Sequence, residues 1–268
     1  MDYVQGNPTS GIINDGVNYP TIDATTLITA NENGGEVNIS TGFHAIEFII
    51  WGQDLSASSA GTRPFSDFVE GGSGTASNQA RRKQYLKVCA DVLISALTQV
   101  KNKWDKNVPT SYYNSFVNMD SQTALRKMFN ALRVLSGEEL AGERIFTAYE
   151  NANQEDEHSC FSDNTHRDIY LNALGIHNLY TGNYVSIYGN SVSGYALEDL
   201  SAIVNSTANT TVLNRMQTSF NLINLMYTPF DQAIILPAER PKVLDAVNSL
   251  IQQKTDFETV SASYGIYF

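Results

Sequence analysis

The segment from Gly42 to Asp54 contains a histidine and a glutamate whose side chains could bind a metal ion. If it is helical, His44 and Glu47 share one face, with Cβ atoms about 5–6 Å apart. An imidazole and a carboxylate on one helix face form half of a metal site, as in the Glu-x-x-His pairs of di-iron bundles. The alternative is a buried hydrogen bond between His44 and Glu47 that only fixes the helix. The flanking residues are apolar, so an unpaired polar group would be costly in either case.

A second segment, residues 154–168, is denser in potential ligands and has the sequence QEDEHSCFSDNTHRD. The alternative interpretation is a solvated acidic turn that precedes a helix, with residues 163–165 as ordinary capping residues. Cys160 and Phe161 lie between the polar groups, which argues against a purely solvated loop. The residues of interest here are Glu157, His158, Cys160, Ser162, Asp163, Asn164 and His166.

A third segment, residues 61–68, contains Arg63 and Asp67 within the sequence GTRPFSDF. Arg63 is placed to contact an anion, and Asp67 is placed to cap a helix. A structural role for this loop is the favoured interpretation.

Long amphipathic helices must position these segments, because apolar residues recur at three- and four-residue steps along most of the chain. The Ser136-Gly137 pair is expected to end one of these helices, and a hairpin is expected near residues 184–188. The fold class is therefore all-α, with two packed helical bundles predicted at residues 1–135 and 136–268. The predicted helices cover residues 22–30, 78–104, 123–135, 138–151, 168–180, 195–204, 212–226 and 240–263.

Composition excludes several classes of protein. The chain has 268 residues and a formal net charge of −11, and 42% of its residues are hydrophobic. This content is sufficient for a sizeable core and excludes a disordered chain. Residues 81–83 form the only basic cluster, so nucleic acid is not an expected partner. The acidic balance suits metal cations, or solubility alone.

Targeting signals and cysteines constrain the localisation and the cysteine chemistry of the protein only weakly. No apolar run reaches about 18 residues, so no membrane span is expected. The first residues have neither a basic nor an apolar signal region, so we expect a cytosolic protein or one whose leader was removed. Cys89 and Cys160 are too few for a cysteine-based zinc module, although they could pair with each other.

Several motifs in one order resemble the imelysin-like family, also called the peptidase M75 or iron-regulated protein A family. The likeness covers residues 11–268. Relatives are usually longer, with a leader and further helices before the point where this chain begins, so the first bundle is expected to be incomplete. The matching residues are the Gly-x-His-x-x-Glu motif at Gly42, His44 and Glu47, the Gly61–Pro64 turn, the Glu157–His166 segment, Phe230–Gln232 and Tyr264–Ile266.

The resemblance implies two helical bundles with a cleft between them, in a bacterial protein of the periplasm or outer envelope associated with iron uptake. The family's His and Glu correspond to His44 and Glu47. The expected metal ligands are His44, Glu47, His158 and Asp163. Other residues expected in the cleft are Gly42, Asp54, Arg63, Cys160, Ser162, Asn164 and His166.

Three functions follow from these observations. The first is binding of a metal ion, with iron favoured and zinc possible, or of an iron-bearing ligand such as haem or a siderophore. The second is a metallopeptidase in which His44 and Glu47 bind the metal and Glu157 acts as the base, because Ala45 stands where zincins place that Glu. The third is a structural or surface-binding protein without metal. The sequence leaves the identity of any protein partner open.

Overall fold

The computed structural model describes residues 12–14, 17–33, 35 and 39–268. The chain divides into two compact units, Met1–Ser115 and Phe116–Phe268. The second unit thus begins before residue 136, the start of the second bundle predicted from the sequence. The reason is that the helix over residues 121–134 packs on the last helix of the chain, so it belongs to the second unit.

The first unit packs helices around a small core. The predicted helix at residues 22–30 is present, and the Asp23 carboxylate caps it by accepting the Thr26 N–H. The hydroxyl of Tyr85 donates to the Ser40 carbonyl, 2.6 Å away, and thereby ties the helix over residues 79–103 to the segment that precedes the helix over residues 43–51. The elements are the antiparallel strands β1 (Ile12–Asn14) and β2 (Val17–Tyr19), the helices α1 (Ala24–Ala30), α2 (Phe43–Trp51) and α3 (Gln79–Lys103), a 3-10 turn (Phe65–Phe68), and α4 (Tyr112–Val117), which crosses into the second unit.

The second unit is a helical bundle in which the last helix contacts most of the others. Two antiparallel strands form the predicted hairpin, with Tyr184 opposite Val192. The elements are α5 (Ser121–Val134), a π-helix (Leu135–Phe146), α6 (Thr147–Asn151), a 3-10 turn (Gln154–Asp156), α7 (Thr165–Thr181), β3 (Asn183–Val185), β4 (Ser191–Ser193), α8 (Leu197–Val204), α9 (Ser206–Leu225), α10 (Phe230–Ile235) and α11 (Arg240–Ala262).

The expected break at Ser136-Gly137 is wrong. The helix continues there as the π-helix, because packing against α11 overrides the local preference of these residues. Ser136 is fully buried and donates to the Leu250 carbonyl at 2.8 Å. A Cβ on Gly137 would lie 2.8 Å from the Cβ of Lys254, so glycine allows α11 to approach.

The all-α prediction is confirmed, since strands occur in the described residues only as these two short hairpins. The core of the second unit is formed by apolar side chains from α5, the π-helix, α7, α9 and α11, with further residues from α6, α8 and α10. Within the described ranges, no helix combines the length and the apolar character that crossing a lipid bilayer requires.

Candidate functional site

The first candidate site lies on α2, which forms where the Gly-x-His-x-x-Glu motif was found. Gly42 precedes the helix at a positive φ of 91°, a conformation that glycine adopts without a steric penalty. His44 Nδ1 lies 2.9 Å from Glu47 Oε2. Glu47 is buried, whereas the His44 side chain is 41% exposed. The two side chains share one helix face, as the spacing predicted.

This pair is compatible with both interpretations of the motif. The hydrogen bond between His44 and Glu47, which the structural interpretation requires, is present. It also matches the arrangement in which a carboxylate holds one ring nitrogen of a histidine while the other nitrogen binds metal. In that arrangement Glu47 orients His44. The assignment of both residues as metal ligands stays a prediction.

Arg63 has a structural role in the first unit. Its Nη1 lies 3.5 Å from Asp67 Oδ2, and its guanidinium lies 6.0 Å from the centre of the Phe48 ring. Its backbone N–H donates to the Trp51 carbonyl at 2.8 Å. Asp54 is also buried, and its Oδ1 accepts the Ser56 N–H at 2.9 Å. These contacts fix the loop that follows α2.

The second candidate site lies in the segment that precedes α7. The Ser159 N–H donates to Thr165 Oγ1 at 3.0 Å, and the Asn164 N–H donates to the Ser159 carbonyl at 3.3 Å. Asp163 has a positive φ of 52°, which turns the chain into the helix. Asn164 precedes α7 as predicted, but its side chain donates to Asp168 Oδ1 instead of capping the backbone.

His158 is held by Asp168, a residue of the first turn of α7. His158 Nδ1 lies 3.0 Å from Asp168 Oδ2, and the Ser159 hydroxyl donates to the same oxygen. As on α2, a carboxylate binds Nδ1 of a histidine. This pairing sets the ring orientation and directs Nε2 to the opposite side.

Three carboxyl groups of the second unit lie together: Glu157, Asp163 and Asp231. Glu157 is 7% exposed and Asp231 is 1% exposed. A carboxylate oxygen of Asp163 lies within 4.8 Å of one of Asp231. Burial is the main cause that raises the pKa of Glu157 to about 9, and the negative charges of Asp231 and Asp163 contribute to the same increase. Glu157 therefore holds a proton at neutral pH.

Buried oxygens of this cluster have unmet hydrogen-bonding capacity. Neither oxygen of Glu157, nor Oδ2 of Asp231, has a hydrogen-bond partner within 3.5 Å among the residues that the structure describes, although the Thr165 hydroxyl and the Asp231 carboxyl are near enough to Glu157 to influence its pKa. Such atoms are rare in folded proteins because each costs about 1–3 kcal/mol. A hard cation would satisfy these oxygens and remove the repulsion between the charges. The residues present therefore fit a metal ion.

Asp231 was missed as a site residue by the sequence analysis, although its tripeptide was part of the family likeness. It lies in the first turn of α10, between the fully buried Phe230 and the helix residues Ala233 and Ile234. An aspartate inside an otherwise apolar stretch was the available signal, because a buried carboxylate needs a partner.

The two cysteines, Ser162 and His166 differ in how deeply they are buried. Both cysteines are thiols and not members of a disulfide. Burial raises the pKa of the Cys89 thiol to about 11, whereas Cys160 is half-buried. Ser162 is also half-buried. His166 has a buried Nδ1 without a hydrogen-bond partner among the described residues.

Residues 3–257 match the model of the family described as Imelysin, peptidase M75. The chain belongs to the Imelysin family. The resemblance noted in the sequence is thereby confirmed, and the match includes both candidate sites of this imelysin.

A solved structure with a similar fold comes from Parabacteroides distasonis ATCC 8503, and that protein is described as an iron-regulated protein A precursor. The two proteins are 17% identical, and the superposition has a TM-score of 0.65. It covers 98% of this imelysin and 70% of the other chain. At this identity the likeness establishes the fold alone. No curated protein matches the chain.

Proposed function

We propose that this imelysin is an iron-related protein of the bacterial cell envelope that binds a metal ion through Glu157, Asp163 and Asp231. The observation that carries the proposal is the convergence of three carboxyl groups, of which Glu157 and Asp231 are buried with oxygens that have no hydrogen-bond partner within 3.5 Å among the described residues. An oxygen-rich set suits iron or manganese, and imidazole ligands would also admit zinc. Iron is favoured because the similar protein from P. distasonis is described as iron-regulated.

Histidines are proposed to complete the ligand set. His158 is the candidate in the second unit, because Asp168 holds its Nδ1 in the manner typical of metal-binding histidines. His44 is the candidate on α2, where Glu47 makes the equivalent contact. The cleft between two bundles, implied by the family resemblance, stays a prediction.

Peptidase activity is the second candidate function, and one observation favours it. Glu157 has a strongly raised pKa, and such groups often act as catalytic acids or bases. A bound cation would lower this pKa and convert Glu157 into a base at neutral pH. Binding without catalysis is the favoured proposal, because a ligand role uses the same carboxylate without requiring a substrate site. The third candidate is a structural protein without metal.

The test is metal content by elemental analysis, followed by titration of the metal-free protein with Fe²⁺, Mn²⁺ and Zn²⁺. We expect Glu157→Gln and Asp231→Asn to weaken binding at least tenfold, which corresponds to about 1.4 kcal/mol. Glu143→Gln and Asp245→Asn make the same chemical changes at exposed positions of the same unit and should leave the affinity unchanged.

Each outcome distinguishes the candidate functions. Metal in the wild-type protein that is lost in Glu157→Gln and Asp231→Asn supports binding at the cluster. Metal-dependent cleavage of a casein substrate that Glu157→Gln abolishes supports the peptidase. No metal in any sample, even after soaking with all three ions, contradicts both and favours the structural protein.

A further inference from the structure

The second half of α3 is exposed on all sides. In its first half, this helix buries Arg82, Tyr85 and Cys89 within the first unit. By contrast, every residue of the stretch 94–104 is exposed in the described chain. A helical stretch of about three turns is marginal in water by itself, because most helical stability comes from the packing of an apolar face. A partner that covers this half of the helix would supply that packing.

The exposed half has an apolar seam, which consists of Leu93, Leu97, Val100 and Trp104. These residues follow one another at steps of four, three and four, the spacing of the core positions of a coiled coil. Leu97, Val100 and Trp104 are each at least half exposed. Trp104 directly follows the helix, and its ring packs edge-to-face on that of Tyr112, with 5.2 Å between the ring centres. This spacing fits a second helix better than a flat surface.

The charges beside the seam favour a particular partner and direction. Residues 92–100 include no charged side chain, and Lys101 and Lys103 lie on either side of the seam at its C-terminal end. A parallel second copy of the helix would place these lysines beside their own counterparts, where like charges repel. An antiparallel copy would place them beside Ile94 and Ala96, which carry no charge. The charge pattern is therefore compatible with an antiparallel copy of α3.

The same pattern is a poor match for an anionic lipid surface. Helices that lie on such membranes have basic residues along the whole polar face. On the exposed half of α3, the lysines lie at one end only, and Asp91 lies at the other. The chain also has a formal net charge of −11, which an anionic surface repels.

We infer that the exposed half of α3 is a self-association surface, on which a second copy of this chain packs its own α3 in the antiparallel direction. Leu97 then lies across from Val100 of the partner subunit, and Leu93 lies across from Trp104 of the partner subunit. The two-fold axis passes between residues 98 and 99, so each contact occurs twice. A seam of about three turns is short, so we expect a weak dimer whose population depends on protein concentration. The inference does not rest on the proposed metal binding.

The experiment is sedimentation velocity of the full chain in a buffer containing EDTA, from about 2 µM to about 200 µM. We expect the sedimentation coefficient of the wild-type protein to rise from the monomer value toward the dimer value. Leu97→Glu should weaken dimerisation at least tenfold, and it should not unfold the monomer because Leu97 is 50% exposed. Ser95→Glu adds the same charge at an exposed position on the opposite face of α3 and should leave dimerisation unchanged.

A second pair of variants tests the direction of the helices. In the antiparallel arrangement residue 94 lies beside Lys101 of the partner subunit, so Ile94→Glu should dimerise at least threefold more tightly than Ile94→Lys. In a parallel arrangement residue 94 faces its own counterpart, and both variants should weaken the dimer equally. A general effect of the net charge of −11 would favour Ile94→Lys, which is the opposite of the expected order.

Other results overturn the inference. A monomer at every concentration, with native far-UV circular dichroism, would exclude the dimer. Equal weakening by Leu97→Glu and Ser95→Glu would show that the seam is not the interface, and equal affinities of the two Ile94 variants would contradict the antiparallel direction. A monomer that binds phosphatidylglycerol vesicles, and loses this binding in Leu97→Glu, would assign the face to a lipid surface. Because EDTA removes metal, these results are independent of the metal titration.

Discussion

The backbone N–H of Ser159 donates a hydrogen bond to the hydroxyl oxygen of Thr165, 3.0 Å away. This contact closes the turn between Glu157 and α7, and Thr165 is fully buried beneath it. The turn thereby fixes the backbone on both sides of Asp163. A segment of the sequence that resembles a solvated acidic loop is instead folded inward, and Glu157 is buried with it.

The raised pKa of Glu157 predicts an unusual pH dependence of stability. The unfolded chain loses this proton near the ordinary pKa of 4.5, whereas the folded protein loses it near 9. Between these values the folded state binds more protons, so the free energy of unfolding falls as pH rises, by up to about 1.4 kcal/mol per pH unit. We expect Glu157→Gln to remove this decrease.

Urea unfolding of the metal-free protein at pH 5, 7 and 8.5 measures this effect. The free energy of unfolding of Glu157→Gln relative to wild type should increase with pH. Glu143→Gln changes an exposed glutamate, and its free energy of unfolding should follow that of wild type at all three pH values. A constant difference between Glu157→Gln and wild type across the three pH values would contradict the buried, protonated state.

His44→Ala should leave the helical fold intact. The His44 side chain is 41% exposed, so its hydrogen bond to Glu47 contributes about 1 kcal/mol or less to stability. Far-UV circular dichroism should match wild type, and the thermal midpoint should shift by only a few degrees. If His44 is a ligand, metal affinity falls while the spectrum is unchanged. Wholesale unfolding would show that the pair serves only the structure.

Gly137→Ala should destabilise the protein by about 1–3 kcal/mol. The added Cβ would lie 2.8 Å from the Cβ of Lys254, which is tied to the α11 backbone and cannot move away. Gly142→Ala is the matched control in the same π-helix, because its Cβ would come no closer than 3.8 Å to the Gly137 carbonyl. Denaturant unfolding of both variants measures the difference, and equal stabilities would be inconsistent with close helix packing.

Cys89 should react slowly with thiol reagents in the native protein. Its side chain is fully buried, its Sγ lies 3.6 Å from the Ser40 carbonyl, and burial raises its pKa to about 11. The thiolate fraction at pH 8 is therefore about 100-fold lower than for a thiol with a pKa of 9. Labelling of Cys160→Ser by a chromogenic disulfide measures Cys89 alone. The reaction should become fast only in denaturant, and rapid labelling of the folded variant would refute the burial.

Local rules predicted much of the fold. The helices were found from apolar periodicity, and α3 and α11 lie within a residue or two of their predicted ends. The pairing of His44 with Glu47 was also predictable, because residues three apart on a helix are neighbours whatever surrounds them. Such features depend on short stretches of chain, and a sequence contains that information directly.

The features that local rules missed depend on distant residues. Gly137 was expected to end a helix, and packing on α11 carries the helix through it. The boundary between the units was placed too late, because α5 belongs with α11. No local pattern encodes which helix packs against a given residue.

The sequence by itself determined the helical class, the positions of most helices and the candidate residues on α2 and before α7. Only the tertiary structure decided that Asp231 lies near Glu157 and Asp163, which are far from it along the chain, and that Glu157 and Asp231 are buried while Asp163 is half-buried. The reason is physical: a carboxyl group acquires an unusual pKa from its burial and from neighbouring charges, and both are set by the packing of distant segments.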